Sequence, residues 1–586
     1  MFMNTKNQEI KNCVNCKKDF TIEPDDFGFY EKIKVPPPTF CPECRLRRRL
    51  TWRNERILYR KECKLCGKNT LTTFNSDDIT TYCQSCWWSD EWDPLSYKLD
   101  YDFSKTFFEQ FKNLISKVPF CGLFNLNYVN SDYCNYTFES KNCYLNFASD
   151  MNEDTGFLYH SIENKNSFDM LGSRKNENCY ELIDCEKCYG SSYLSLCEGC
   201  VDSKYCYDCH NCSDCVGCFG LRNAKYHIFN EKYSPDDYKK EILKFDLNKH
   251  ANNSKIGESF KELLKKYPRK FFNSRHAVNC TGDYIKNAQN CINCFDIEGP
   301  AKDLKYAIYA VTNIHGSQDI YAFGVNVENC YEFLGGGDGI QNIYFSMYVF
   351  NGCYDCNYSY YLNSCSNCFA CIGLRNKSYC ILNKQYTKEE YEELIPKIKK
   401  HMDEMPYADK KGLIYKYGEF FPSELSPFCY NETITQEYFP LTKEEALKQG
   451  YKWKEKEERN YAIEIKNDDI PDDIDDVNED ILGKVIECEH KGSCGEQCTE
   501  AFKIIGSELQ FYKKMKLPIP RLCPNCRHYQ RLKQRNPFKL WHRQCMCDKK
   551  NHFHSGGDCE IEFETSYAPD KPEIVYCEKC YQQEVY

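Results

Sequence analysis

The sequence predicts a multidomain, mainly β protein with short helices, in which paired cysteine-built modules at each end flank a duplicated all-β, solenoid-like middle. Three observations predict it. Cys-x-x-Cys pairs crowd the first 90 residues and recur near the C-terminus. Residues 212–240 align with 365–393 at 13 of 29 positions, and NENCYEL (176–182) matches VENCYEF (327–333). Units such as KNCYLNF and SNCFACIGL recur between Asn, Asp, Ser and Gly residues, the look of short strands with turns between them. The expected units are 1–96, a paired N-terminal module; 97–124, a connecting helix; 125–270 and 271–410, the two repeat copies with capping helices; 411–465, a connector; 466–482, an acidic linker; and 483–586, a paired C-terminal module.

A chain of 586 residues is too long for one core. Its 46 tyrosines and 37 phenylalanines favour β packing. The opening MFMNTKNQEIKNC lacks the apolar core of a signal peptide, and no run of 18 apolar residues occurs. These features predict a cytoplasmic protein without a membrane partner. In a reducing compartment, 42 cysteines are read as metal ligands or small buried side chains rather than disulfides.

In the N-terminal module, sequential closure pairs Cys13/Cys16 with Cys41/Cys44 and Cys63/Cys66 with Cys83/Cys86. An interleaved pairing is the alternative. Four thiolates make a soft, tetrahedral, closed site. At the other end, FYKKMKLPIPRLCPNCR (511–527) aligns without gaps to FYEKIKVPPPTFCPECR (29–45), with 10 identities in 17 positions. The offset of 482 holds onward to Cys63 and Cys545, and with a longer first spacing, a Cys-x-Cys and an inserted stretch the later ligands are read as Cys494/Cys498 with Cys523/Cys526, and Cys545/Cys547 with Cys577/Cys580. Cys559, His552 and His554 compete for the last site, and Cys488 and His490 lie just upstream of the other. The spacing predicts about four zinc ions.

The pattern Cys-x-x-Cys, an apolar stretch ending in Phe-Tyr, a Pro-rich turn and Cys-Pro-x-Cys-Arg resembles a zinc-ribbon (treble-clef-like) domain family over about 35 residues at each end. The chain as a whole resembles cysteine-rich, multi-ribbon bacterial proteins, a likeness that brings no activity with it.

After each Cys-Pro-x-Cys a helix is expected. Arg45/Arg49/Arg53 and Arg527/Arg531/Arg535 recur in register at i, i+4, i+8 and fall on one face, with Arg48, Arg56 and Lys533 nearby. Residues 32–68 carry 12 bases against 3 acids, and residues 513–550 carry 12 against 1. A basic face on a metal-fixed helix predicts contact with nucleic-acid phosphates, RNA ahead of DNA because no recognition-helix signature appears. The alternative is a solvated face, or one paired with the acidic stretch 464–481, which holds 9 acids and 1 base.

The middle raises a sharper question. CYDCHNCSDCVGC places Cys206, Cys209, Cys212, Cys215 and Cys218 at every third position, a period of neither helix nor strand. Between the copies, Cys206 and Cys209 align with Ser359 and Leu362, so a conserved cluster is not what the two share. The expectation is a wall of small buried side chains. Ser234 and Thr387 are expected to start capping helices, and Phe107, Phe111, Leu114 and Val118 mark the amphipathic connecting helix.

No phosphate loop, His-Glu-x-x-His or redox βαβ context appears; GGGDG (335–339) lacks the following Lys-Ser/Thr. The function expected is a non-catalytic zinc protein binding nucleic acid through its basic ends. The alternatives are a protein–protein scaffold with structural zinc, and a metal- or thiol-dependent enzyme whose site is assembled from distant loops.

Overall fold

From Leu126 to Ile228 the chain comes back beside itself every 12 residues. In the computed structural model, which describes residues 8–585 apart from 312, 322–328, 338, 340–342, 458, 460 and 555–556, Leu126 pairs in parallel with Phe138, Val129 with Lys141, Asp132 with Tyr144 and Asn135 with Phe147. Each tier therefore has four sides of three residues. Every third residue from Asn127 to Phe229 has a positive φ and turns the chain at a corner. An L-residue in that conformation costs roughly 1–2 kcal/mol, least for Asn, Asp and Gly. That cost explains the punctuation of the sequence: Asn166, Asp169, Gly172 and Asn178 are all corners.

The residue after each corner points inward. Cys206, Cys209, Cys212, Cys215 and Cys218 hold five successive inward positions, each 0–1% exposed. Outside the named strands, tier-to-tier backbone bonds are donated by the paired and corner residues, and the inward N–H turns to a side chain one tier back. Ser161, Ser173 and Cys185 donate to the Oγ of Ser149, Ser161 and Ser173 at 3.1, 3.2 and 3.2 Å. Asn164, Asn176 and Cys188 donate to the Oδ1 of Asn152, Asn164 and Asn176 at 2.9, 3.0 and 2.9 Å. Where the inward N–H turns to a side chain, that side chain must accept a hydrogen bond, which favours Ser, Asn, Thr and Cys, while Leu158, Met170, Leu182 and Leu194 fill another inward column with apolar bulk. Cysteine meets that demand and donates as well: the Cys209 N–H donates to Cys197 Sγ at 3.5 Å, while Cys209 Sγ donates to the carbonyls of Tyr207 and Cys218, both at 3.6 Å.

The described residues of 274–381 are built the same way with steps of mostly 12 or 13: Gly282 pairs with Cys294, Ala301 with Ile314, Met347 with Tyr360 and Cys368 with Cys380. Each stack closes in a short antiparallel pair and then a helix. Helix Pro235–Phe245 starts at Ser234, whose side chain accepts from the Asp237 N–H, and helix Lys388–Glu404 starts in a reciprocal Thr387/Glu390 cap. Pro396 sits within the second helix without ending it. A further helix, His250–Leu264, follows the first stack. The chain is multidomain and strand-rich, with twelve α-helices among the described residues, all short, and no described sheet closes into a barrel.

The ends pack on the stacks crosswise. One core joins the N-terminal module (Tyr30, Leu46, Trp52, Trp87) and helix Phe107–Ile115 to Tyr331, Tyr348 and Tyr358 of the second stack. Another joins the C-terminal module (Leu509, Phe511, Tyr512) to Phe157, Phe168 and Tyr180 of the first. The acidic stretch expected to be a linker is packed: Ile470, Ile474, Val477 and Ile481 are buried in that second core. Its acids alternate with apolar residues because one face is covered.

Candidate metal centres and the arginine faces

Each terminal module contains the same device twice. A first cysteine ends a hairpin strand: Cys13 follows Glu9–Asn12, Cys63 follows Tyr59–Glu62, Cys488 follows Ile486–Glu487 and Cys545 follows Trp541–Gln544. The third cysteine precedes a helix, as Cys41, Cys83 and Cys523 do at the N-caps of Pro42–Leu50, Gln84–Trp88 and Pro524–Leu532, and as Cys577 does before Glu578–Val585. In all four copies its N–H donates to the first sulfur: Cys41 to Cys13 at 3.2 Å, Cys83 to Cys63 at 3.1 Å, Cys523 to Cys488 at 3.2 Å and Cys577 to Cys545 at 3.2 Å. The donors favour thiolate, as a ligand must be.

Four tetrads result: Cys13/Cys16/Cys41/Cys44, Cys63/Cys66/Cys83/Cys86, Cys488/Cys498/Cys523/Cys526 and Cys545/Cys559/Cys577/Cys580. In each, the sulfurs lie within 4.8 Å of one another. Cys16–Cys41 at 3.8 Å, Cys66–Cys83 at 3.9 Å and Cys559–Cys577 at 4.0 Å suit a tetrahedral ion with metal–sulfur bonds of about 2.3 Å. The donor set is soft and closed, so each tetrad can hold a metal ion structurally.

Two ligands differ from the sequence expectation. Cys488 takes the place that spacing gave to Cys494, whose Sγ approaches the tetrad 3.7 Å from Cys526. Cys559 takes the place given to Cys547, which instead stands with His552 and His554. Both errors come from longer loops between the hairpin strands, which move the ligand while preserving the strand-end position. Ile486-Glu487-Cys488 repeats the strand-then-cysteine order of Lys11-Asn12-Cys13, and that was the available signal.

Sulfur also crowds the middle, where Cys212 lies within reach of Cys200, Cys209 and Cys215. There the thiols donate to carbonyls: Cys212 Sγ to His210 and Leu221 at 3.3 and 3.4 Å, and Cys215 Sγ to Ser213 at 3.3 Å.

The arginine faces are not surfaces. Arg45, Arg49 and Arg531 are 0–1% exposed, and Arg48, Arg53, Arg527 and Arg535 are also buried. Asp319 of the second stack receives Arg45 Nη2 and Arg49 Nη1, both at 2.9 Å. Asp169 of the first receives Arg527 and Arg531 at 3.1 and 2.8 Å. Arg48 pairs with Glu332 at 2.6 Å, and Arg531 with Glu181 at 2.8 Å. Glu181 and Glu332 are the glutamates of the matched NENCYEL and VENCYEF. The correspondence reaches the second site of each end: Trp87, after Cys86, meets Tyr361 at 5.8 Å, and Tyr581, after Cys580, bonds Asp208, with Asp208 and Tyr361 separated by the repeat offset of 153. Arg53 pairs with Glu55, Arg56 with Glu437 at 3.3 Å, Arg535 with Asp184 at 2.9 Å and with Asp296, and Lys533 with Glu496. The expected phosphate footprint of these residues is thus corrected: their counter-ions are the protein's own carboxylates, in the stacks for Arg45, Arg48, Arg49, Arg527, Arg531 and Arg535, and at Glu55, Glu437 and Glu496 for Arg53, Arg56 and Lys533. Burial pushes the carboxyls of Glu181 and Glu332 up to about 7 against the opposing pull of Arg531 and Arg48.

A groove of about 270 Å³ runs along the facing sides of the two stacks. Two columns with a 12-residue step line one wall, Phe138, Asp150, Ile162, Arg174, Glu186, Glu198, His210 and Arg222 in one and Tyr136, Ala148, His160, Gly172, Asp184, Leu196 and Asp208 in the other. Arg275, Lys286, Glu298 and Tyr309 face them. Ion pairs cross it, Lys286–Glu186 at 3.1 Å and Arg275–Glu198 among them. His160 stacks on Tyr309 with centroids 3.8 Å apart and planes 2° from parallel. Sequence reasoning missed this groove because residues 12 apart reveal a column only once the tier length is known.

No helix among the described residues is long and apolar enough to cross a membrane. No family model, no curated protein and no solved structure matches the chain.

Proposed function

We propose that the protein is a non-catalytic interaction scaffold, in which four structural zinc sites of zinc-ribbon, treble-clef-like type clamp a duplicated β-solenoid and leave the inter-stack groove for a partner polypeptide. One observation carries this: the arginines of each end pair with equivalent acids of the opposite stack, Arg45/Arg49 with Asp319 and Arg527/Arg531 with Asp169. A basic helix whose charge is spent internally is a fastening. The four tetrads favour zinc through their all-thiolate, closed donor sets, which leave no position for substrate. In the solenoid, thiols that donate to carbonyls act as packing rather than ligation.

The groove supports a polypeptide over RNA. Its charged lining is six bases (Arg53, Arg174, Arg222, Lys270, Arg275, Lys286) against eight acids (Asp150, Asp184, Glu186, Glu198, Asp208, Asp296, Glu298, Glu578). A polyanion finds no excess of bases there, whereas a chain of mixed charge finds complements along both columns.

The test combines a photo-crosslinking residue in place of Ile162, on the groove wall, with an RNA titration of the intact chain. Adducts destroyed by protease and untouched by nuclease are expected, with no salt-sensitive RNA binding. Nuclease-sensitive adducts, or RNA affinity that falls steeply with salt, would return the protein to the nucleic-acid class.

A further inference from the structure

The last tetrad does not use all the ligands gathered around it. Cys547, His552 and His554 form a second group with Cys580, and the four ligand atoms lie within 4.8 Å of one another. Cys580 belongs to both groups. Its sulfur lies within hydrogen-bonding reach of Cys577 and Cys559 on one side and Cys547 on the other. We propose that Cys580 is a bridging thiolate, and that the C-terminal module is a two-metal centre: one ion held by Cys545, Cys559, Cys577 and Cys580, the second by Cys547, His552, His554 and the same Cys580.

The geometry of the second group is that of a metal shell. A tetrahedral zinc with bonds of about 2.3 Å to sulfur and 2.0 Å to nitrogen sets sulfur–nitrogen separations near 3.5 Å. His552 Nδ1 lies 3.2 Å and His554 Nε2 3.4 Å from Cys547 Sγ. The other nitrogen of His552 has an outer partner, Glu584 Oε2 at 3.4 Å from Nε2. A carboxylate on the far side of a ligand histidine fixes its tautomer and orients Nδ1 inward, the usual support of a metal-bound imidazole. Cys547 and His552 are buried, so the group is built rather than adventitious. Each thiol gives up its proton to solvent as the ions bind, and a single shared sulfur lets seven side chains supply eight bonds. At the N-terminal end the corresponding loop is too short for extra ligands, since Cys66 is followed by Gly67 and a hairpin return at Asn69.

The centre also reaches the groove. Glu578 and Tyr581, which flank Cys580 on helix Glu578–Val585, both line it. Glu578 pairs with Lys270 at 2.9 Å, and Tyr581 bonds Asp208. Metal loading at Cys580 therefore sets the end of the groove, whatever occupies it.

The test is metal content of the intact purified chain. Five zinc ions are expected in the wild type, four in His552→Ala/His554→Ala, and three in Cys580→Ser. Four ions in the wild type with no loss in the histidine variant, or loss of only one ion in Cys580→Ser, would overturn the bridge. Cadmium-113 NMR of the cadmium-exchanged wild type needs no variant. Two resonances that split each other through the shared sulfur are expected, and a fully unsplit spectrum would overturn the proposal even if Cys580→Ser fails to fold.

Discussion

The terminal and central cysteines share a side chain and do opposite work. At the ends, sulfur accepts: Cys13, Cys63, Cys488 and Cys545 each take an N–H from the residue that opens a helix. Among the described residues, no ligand thiol of the four tetrads donates to a carbonyl. In the middle, Cys185, Cys197, Cys206, Cys209, Cys212, Cys215 and Cys218 each donate to the carbonyl two residues back. A thiol that must donate keeps its proton and fills space, whereas a thiol surrounded by donors is ready to lose its proton to a metal. Cysteine count says nothing of metal count. Donation to a carbonyl is the sign of a packing thiol, since Cys197 accepts an N–H as the ligands do but also donates to Ser195.

Ligand removal separates the two kinds of cysteine most visibly. On the proposed zinc reading, Cys523→Ser should unload that tetrad and release the first C-terminal site, since structural zinc contributes apparent binding energy of about 10–16 kcal/mol. Cys212→Ala should keep every ion and cost no more than about 2 kcal/mol, as a small buried side chain replaced by a smaller one. Zinc content and limited proteolysis of the two variants side by side check this.

The two fastenings come next. Asp319→Asn and Asp169→Asn each leave a pair of buried guanidiniums short of a charge, and each should destabilise by about 3–5 kcal/mol in denaturant titrations. Similar losses are expected because the contacts are equivalent. A gap of more than about 2 kcal/mol would show that one end alone holds the molecule together.

A smaller effect tests the wall. Ser173→Ala leaves the Cys185 N–H without its acceptor and should cost about 1–3 kcal/mol. Ser173→Cys should recover most of it, because sulfur accepts in the same place at Cys197.

The smallest concerns pH. Burial, with Arg53 and Arg535 near it, holds the pKa of His160 well below its ordinary 6.5. The unfolded chain takes up a proton near that pH and the folded chain does not, so this stability is full above about 6.5 and is lost as pH falls below it. His160→Gln should flatten the decline by about 1 kcal/mol between pH 6.5 and 5.5, read from thermal midpoints.

Much of this was legible in residues. Spacing alone brought together Cys13, Cys16, Cys41 and Cys44, and the shared Cys-Pro-x-Cys-Arg announced a second copy of the module. The period of three was visible in CYDCHNCSDCVGC, but its closure after four triplets was not, because corner φ values leave only a loose preference for Asn, Asp and Gly. The arginine face was legible as well, yet its partners were not. Asp319 lies 274 residues from Arg45, and Asp169 lies 362 from Arg531. A charge stripe shows that counter-ions exist somewhere, and only the fold says whose they are.

Metal analysis of the Cys212→Ala/Cys215→Ala/Cys218→Ala triple variant against the wild type puts the division of sulfur to its most direct test. An unchanged number of ions per chain, with both terminal modules loaded, is the result expected. Loss of metal from the variant while the terminal modules stay loaded would contradict it.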